Sequence, residues 1–265
     1  MKVIILAAGQ GSRLRPLTND RPKCMVELKG KPLLHHQLEV LEAVGIRKED
    51  IALAAGYLQE ALVAPGITQI RNEQYASTNM VGTLFAAQEF MRPGEDLIVS
   101  YGDIVYRADV LRKLLATRGD LVVAADLDWY ELWSQRMEDP LEDAETFKMT
   151  AEGRVLELGK KPQSRDEVHA QYIGLIKIAG DKVADFISCY HSMDKSARYD
   201  GKDFDNMYMT SLIQYLIDNG WEVQAALING GWLEVDSIED LQAYEAREDL
   251  VAASTHTSAT PAGNA

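Results

Sequence analysis

The opening stretch, residues 1–30, constrains this chain more than any other. Val3-Ile4-Ile5-Leu6 is a short apolar, β-branched run, and Gly9 and Gly11 follow it. A run of this kind bounded by glycine reads as a buried strand. The turn Ala7-Ala8-Gly9-Gln10-Gly11-Ser12 carries little side-chain bulk, so its backbone N–H groups can approach a ligand closely. Successive N–H groups in such a turn form a nest for phosphate oxygens. Arg13 and Lys23 add full positive charge beside it. Strand, turn and cations together predict a cradle for a triphosphate. A strand-to-loop turn with no ligand is the plainer alternative, and the two cations weigh against it.

Two common phosphate cradles are excluded. A P-loop closes on Gly-Lys-Ser/Thr, whereas Gly11 is followed by Ser12-Arg13. A dinucleotide fingerprint needs a third glycine and an acid at the end of the second strand. Leu14 stands at the glycine position, and the next predicted strand, 51–55, runs into Gly56-Tyr57.

Downstream, strand and helix patterns alternate. Helices are expected over 31–44, 58–63, 79–91 and 108–117, and strands over 51–55, 68–71, 96–101 and 121–125. This order predicts a doubly wound, mostly parallel α/β sheet. After Asp128 the texture changes to an aromatic, acidic stretch over 129–145 with no clean period. A hairpin is expected from 147–149 and 155–158. A strand at 172–178, helices at 182–190 and 207–219, a strand at 223–228 and a helix at 238–249 follow. Ser237 is the candidate N-cap of that last helix. The organisation expected is one domain over 1–250. Its nucleotide-binding part spans 1–128 and an acceptor-binding part, a small C-terminal insert, spans 129–250. The Ala/Ser/Thr-rich tail at 251–265 is expected to be disordered.

The segment from Leu6 through Thr18, then Arg21-Pro22-Lys23 and Lys31-Pro32-Leu33-Leu34, resembles the signature of the nucleotidyltransferases that activate sugar phosphates and phospho-alcohols with an NTP. The resemblance extends over about 1–250 and implies a Rossmann-like nucleotidyltransferase fold. It implies nucleotide contacts from Leu6, Ala7, Ala8, Gly9, Gly11, Ser12, Arg13 and Lys23. Arg13 and Lys23 would be catalytic, taking up charge on the departing pyrophosphate and on the α- or acceptor phosphate. Base and ribose should be read by 54–57 and 72–83, with Gly56, Tyr57, Asn79, Gly82 and Thr83 singled out. Asn79 as a plain helix cap is an equal alternative.

Asp103 follows a predicted strand in Ser100-Tyr101-Gly102-Asp103, and ligands of open α/β sheets sit beyond the carboxyl ends of the strands. Asp236 ends the run Trp232-Leu233-Glu234-Val235. Both resemble the family's metal carboxylates, which implies Mg²⁺ as cofactor. For Asp236 the alternative is capping of the last helix. No general base is required, because the attacking phosphate is already ionised.

The acceptor pocket is expected from Tyr101, Trp129, Tyr130, Lys161, Tyr172, Asp205, Trp232 and Glu234. Lys160-Lys161-Pro162 resembles the family's Glu-Lys-Pro with the acid replaced, which disfavours a hexose phosphate. Asn72-Glu73-Gln74-Tyr75 and Phe204-Asp205-Asn206-Met207-Tyr208 are closer to the phosphocholine and phospho-alcohol cytidylyltransferase branch. Aromatic faces, with Trp133 and Tyr190 among the candidates, and acids would then enclose a cationic head group. The partners implied are an NTP, preferably CTP, and a phosphorylated small molecule such as phosphocholine or an aminoalkylphosphonate. Rival readings are a sugar-1-phosphate nucleotidylyltransferase using UTP, GTP or dTTP, and a silent nucleotide-binding subunit.

A formal net charge of −14 argues against a nucleic-acid or anionic-membrane partner. The two cysteines, Cys24 and Cys189, form no metal-ligand pattern, and a cytoplasmic protein is expected, monomeric or homo-oligomeric. The opening apolar run is too short for a signal peptide.

Overall fold

The computed structural model describes residues 1–246. The expected tail and the end of the expected terminal helix lie outside the described residues. Strand β1 (Lys2–Ala7) is the opening apolar run. Its Val3, Ile5 and Ala7 join one hydrophobic cluster and Ile4 joins another. Successive strand side chains point to opposite faces, so a strand covered on both sides reads as unbroken apolar sequence.

Beyond the phosphate-loop candidate, β2 (Glu27–Leu28) and β3 (Lys31–Pro32) pair antiparallel and lead into α1 (Leu33–Ala43). The helix therefore starts later than the pattern at 31–44 suggested, because Pro32 pairs with Glu27 in β3. Strands β4 (Ile51–Ala55) and β5 (Thr68–Arg71) follow. Between them a 3₁₀ turn, Gln59–Ala61, replaces the helix expected over 58–63. So short a segment cannot recover the cost of helix nucleation. Helix α2 (Met80–Ala86) is capped by Asn79, whose side chain accepts from the Met80 N–H at 2.8 Å. A separate 3₁₀ turn, Gln88–Phe90, takes up the rest of the expected 79–91 helix.

The remaining elements are β6 (Leu97–Tyr101), β7 (Ile104–Tyr106), α3 (Ala108–Ala116), β8 (Leu121–Asp126) and α4 (Trp129–Arg136). Then come the hairpin β9 (Phe147–Met149) and β10 (Val155–Leu158), β11 (Gln171–Ile178), α5 (Val183–Ser192) and α6 (Met209–Asp218). Strands β12 (Val223–Ile228) and β13 (Trp232–Glu234) and helix α7 (Ile238–Glu245) close the described chain.

The central seven-stranded sheet has the order β12-β8-β11-β6-β1-β4-β5. Its neighbours are parallel except around β11, which runs antiparallel to both β6 and β8. The sheet is thus mostly parallel and Rossmann-like. The second part of the chain contributes β11 and β12 to this same sheet. Helices α1 and α3 cover one face, and α2, α5 and α6 the other. The pairing that matters most for the site is peripheral. Strand β13 lies antiparallel on β7, with Glu234 opposite Ile104, and the Val235 N–H donates to the Asp103 carbonyl at 3.0 Å. No helix among the described residues is long and apolar enough to cross a membrane.

Candidate active site

The β7–β13 pairing carries Asp236 back to Asp103 across about half of the chain. Carboxylate oxygens of Asp103, Glu234 and Asp236 lie within 4.8 Å of one another. Lys23, on the 3₁₀ turn Lys23–Met25, donates from Nζ to Asp103 Oδ2 at 2.6 Å and also to Asp236 Oδ1. Arg13 Nη2 lies 3.0 Å from Asp236 Oδ2. The four residues expected to act on phosphates and metal therefore form one cluster. Glu234, expected in the acceptor pocket, joins them, and its Oε2 meets Arg136 Nη1 at 3.4 Å.

Asp236 is not the helix cap. Ser237 holds that role in a capping box: its hydroxyl accepts from the Asp240 N–H at 3.1 Å, and Asp240 accepts from the Ser237 N–H at 3.1 Å. The Asp236 carboxylate is left for the site.

The electrostatics follow from crowding. Burial alone would lower the Lys23 ammonium, but Asp103, Asp236 and Glu234 outweigh it and hold Lys23 raised and charged. Burial, with Asp236 and Asp103 adding to it, pushes Glu234 up to about 8. Burial opposes ionisation of Asp236 too, yet Lys23 and Arg13 keep its carboxyl below the ordinary range. Asp103 Oδ1 is buried and has no hydrogen-bond partner among the described residues. An unsatisfied carboxylate oxygen among three acids fits a hard divalent cation, which takes oxygen ligands. Asp103, Asp236 and Glu234 are the residues that could hold one.

Next to this cluster, Leu6, Ala8, Gly9, Asn79 and Thr83 line a cavity of about 180 Å³ that reaches Asp103. Tyr75, Thr78 and Met80 line it too, from within the 72–83 segment. Buried Asn72 organises that segment, donating to Thr78 Oγ1 at 2.9 Å and to Thr83 Oγ1 at 3.0 Å. Gly11 adopts φ +61°, and a Cβ there would come to 3.0 Å from the Lys23 side chain, so glycine lets the loop pass the lysine. Ser12 begins the 3₁₀ turn Ser12–Leu14 that carries Arg13, and Ala7 is buried at the end of β1.

Gly56 and Tyr57 act from behind the loop. A Cβ on Gly56 would sit 2.5 Å from that of Tyr75 and 2.9 Å from that of Ala8, so this glycine makes room for protein side chains. The Tyr57 hydroxyl donates to the Thr18 carbonyl at 3.1 Å. Neither residue lines the cavity, and neither does Gly82, which faces Thr78.

A further cavity of about 180 Å³ adjoins the carboxylates. Of the expected acceptor residues, Tyr101, Tyr172, Trp232 and Glu234 line it. Trp129, Tyr130, Lys161 and Asp205 do not. The Trp129 indole N–H donates to the Val168 carbonyl at 3.2 Å. Tyr130 stands edge-on to Trp129 and carries the Arg165 guanidinium 3.9 Å above its ring. Lys161 Nζ donates to the Leu141 carbonyl at 2.7 Å. The Asp205 carbonyl accepts from the Asn79 N–H at 3.0 Å. Lys160, the departure from the family's acid, pairs with Glu157 at 2.7 Å. Unanticipated lining comes from Asp143, Glu145, Gln171, Tyr208 and Thr210, and from Trp133, named only among the aromatics. A larger cavity of about 450 Å³ beside α1 and β4 shares no residue with the site.

Fold and cluster together define a nucleotidyltransferase. Residues 3–157 match the model of the MobA-like NTP transferase domain, and the chain belongs to that family. It is 45% identical to the CTP:phosphoglutamine cytidylyltransferase of Campylobacter jejuni over 251 residues, 91% of this chain and 98% of that protein. It is 41% identical to the choline-phosphate cytidylyltransferase of Streptococcus pneumoniae over 93 residues, 34% of this chain and 40% of the relative. Among solved structures, the CTP:phosphocholine cytidylyltransferase of Streptococcus pneumoniae superposes with a TM-score of 0.66 at 24% identity, covering 92% of this chain and 97% of the other. That likeness supports the fold.

Proposed function

We propose that the protein transfers a cytidylyl group from CTP to phosphoglutamine, or a close amine-bearing phosphate, and releases pyrophosphate. The observation that carries this reading is the 45% identity to a CTP:phosphoglutamine cytidylyltransferase across 98% of that relative's length. The acceptor expected from sequence was phosphocholine or an aminoalkylphosphonate. Phosphoglutamine keeps the amine and adds a carboxylate.

In the reaction, an oxygen of the acceptor phosphate forms a bond to the α-phosphorus of CTP. The bond from that phosphorus to the oxygen bridging to the β-phosphate breaks, and pyrophosphate leaves with the electron pair. The N–H groups of the turn after β1, with Arg13, stabilise charge developing on pyrophosphate. Lys23 neutralises the α- or acceptor phosphate, so that two anions can approach. Mg²⁺, held by Asp103, Asp236 and Glu234, would supply charge neutralisation and alignment of the phosphates. The cytoplasmic setting belongs to the same proposal.

The test is pyrophosphate release with Mg²⁺, crossing CTP, UTP, GTP, ATP and dTTP against phosphoglutamine, phosphocholine, 2-aminoethylphosphonate and glucose 1-phosphate. CTP with phosphoglutamine should exceed every other pair by about tenfold or more in kcat/KM, which is roughly 1.4 kcal/mol of transition-state discrimination. Best turnover with glucose 1-phosphate would contradict the proposal.

A further inference from the structure

We infer that Glu145 is the specificity residue of the acceptor cavity and binds the ammonium group of a phosphorylated amino acid. The inference rests on the acceptor reading above and assigns that recognition to a named side chain.

Among the described residues the cavity is lined by four carboxylates, Asp143, Glu145, Glu234 and Asp236, and by no Lys, Arg or His. Glu234 and Asp236 already have cationic partners in Arg136 and Lys23. Glu145 has a different environment. Burial, with the like charges of Asp143 and Asp200 adding to it, pushes its carboxyl up to about 7 against a hydrogen bond with Thr210 that acts to lower it, and no cation among the described residues acts on it. A part-buried carboxylate among like charges is costly unless a cation meets it. The site can receive that cation from a ligand.

The position of Glu145 is built. Its N–H donates to Gln171 Oε1 at 3.4 Å, from a glutamine buried in β11. The next residue is clamped to the far end of the hairpin: the Thr146 N–H donates to the Lys160 carbonyl at 2.7 Å, and the Gly159 N–H to the Thr146 carbonyl at 3.0 Å. The side chain is therefore presented from a fixed backbone, as discrimination requires.

A second observation points to a ligand independently. Trp133 lines the same cavity, is 2% exposed, and its indole N–H has no hydrogen-bond partner. Buried indole N–H groups ordinarily find an acceptor. An oxygen of the bound acceptor would satisfy it. The rings of Trp133 and Trp232, 5.8 Å apart between centroids, give the cavity aromatic walls that suit an ammonium. The volume of about 180 Å³ suits an amino-acid-sized molecule, since pockets for drug-sized ligands run from roughly 300 Å³ upward.

The experiment pairs Glu145→Gln with a matched change in the acceptor. The two acceptors are glutamine phosphorylated on its side-chain amide and its Nα-acetyl derivative, which lacks the ammonium. With wild-type enzyme, acetylation should raise the acceptor KM by about tenfold or more, the usual value of a charge-assisted contact. In Glu145→Gln the KM for the free amine should rise by about as much, and the penalty for acetylation should shrink to about threefold or less. The KM for CTP should stay unchanged. A purely structural role would impair both acceptors equally. Should Glu145→Gln unfold, Glu145→Asp serves instead: the KM for the free amine should rise while that for the acetylated acceptor stays, so that the acetylation penalty shrinks, and both rising together would overturn the inference. Full discrimination surviving in Glu145→Gln would overturn the inference while leaving the acceptor reading intact. No turnover of phosphoglutamine by the wild-type enzyme would overturn both.

Discussion

Asp103 carries the sharpest expectation at the scale of single residues. Its carboxylate meets Lys23 on one oxygen, and the other is buried and unsatisfied. Removing it leaves Lys23 still paired with Asp236. Asp103→Ala should therefore keep its melting temperature within a few degrees while kcat falls by about 10²–10³, the loss typical when a group stabilising transition-state charge is deleted. Near-normal turnover in Mg²⁺ would sink the metal assignment. Lys23→Met is different, because it strips the ammonium from Asp103 and Asp236, acids crowded with Glu234. That variant should melt lower than wild type without divalent ions. Mg²⁺ should raise its melting temperature by more than it raises that of wild type, because the oxygens no longer have a competing cation. Equal Mg²⁺ shifts in a thermal melt would show that Lys23 and the metal do not share these oxygens. Arg13, Lys23, Asp103 and Asp236 were legible because each sits in a dense local motif. The place of Glu234 in the cluster was not, since it depends on β13 lying against β7.

At the scale of elements, legibility tracked length and covering. Strands β1, β4, β6, β8 and β12 are long apolar runs and stand close to where the pattern puts them. Strands β2, β3 and β7 are two or three residues each, too short to show a period. Helix α4 was hidden in the aromatic, acidic stretch. Its two tryptophans, Trp129 and Trp133, are one turn apart and share a face. The first is spent on the Val168 carbonyl, and the second, one turn further along, reaches the cavity. Sequence alone had no means of ranking them. Arg136 ties α4 to α7: its Nε and Nη2 reach the two Asp240 oxygens at 2.8 and 3.0 Å, from side chains only 5% and 6% exposed. Asp240 also completes the capping box of α7. Arg136→Ala leaves that buried carboxylate unpaired and should cost about 3–5 kcal/mol. A thermal melt should show a drop of roughly 6 °C or more for a protein of this size. A drop of under about 2 °C would mean that the pair contributes little.

At the scale of the molecule, the sheet brings three regions of the chain to the carboxyl ends of its strands. The opening loop supplies cations, the end of β6 supplies Asp103, and the return through β13 supplies Glu234 and Asp236. The doubly wound sheet was readable because it is built from local strand–turn–helix units. The cavity proposed for the acceptor was readable only in part. Its lining comes from Met80, Trp133, Glu145, Tyr172, Thr210 and Trp232, residues scattered along the chain and gathered only by packing. The aromatic and acidic character of an acceptor site was visible in composition, while the particular side chains depended on the course of α4 and the segment before β9. In the proposed reaction the acceptor attacks the α-phosphorus of CTP. The most direct measurement follows radiolabel from CTP carrying ³²P at the α- or the γ-position, in reactions with Mg²⁺ and phosphoglutamine. α-Label should appear in the acceptor conjugate and γ-label in pyrophosphate. Transfer of γ-label to the acceptor, or its release as orthophosphate, would contradict it.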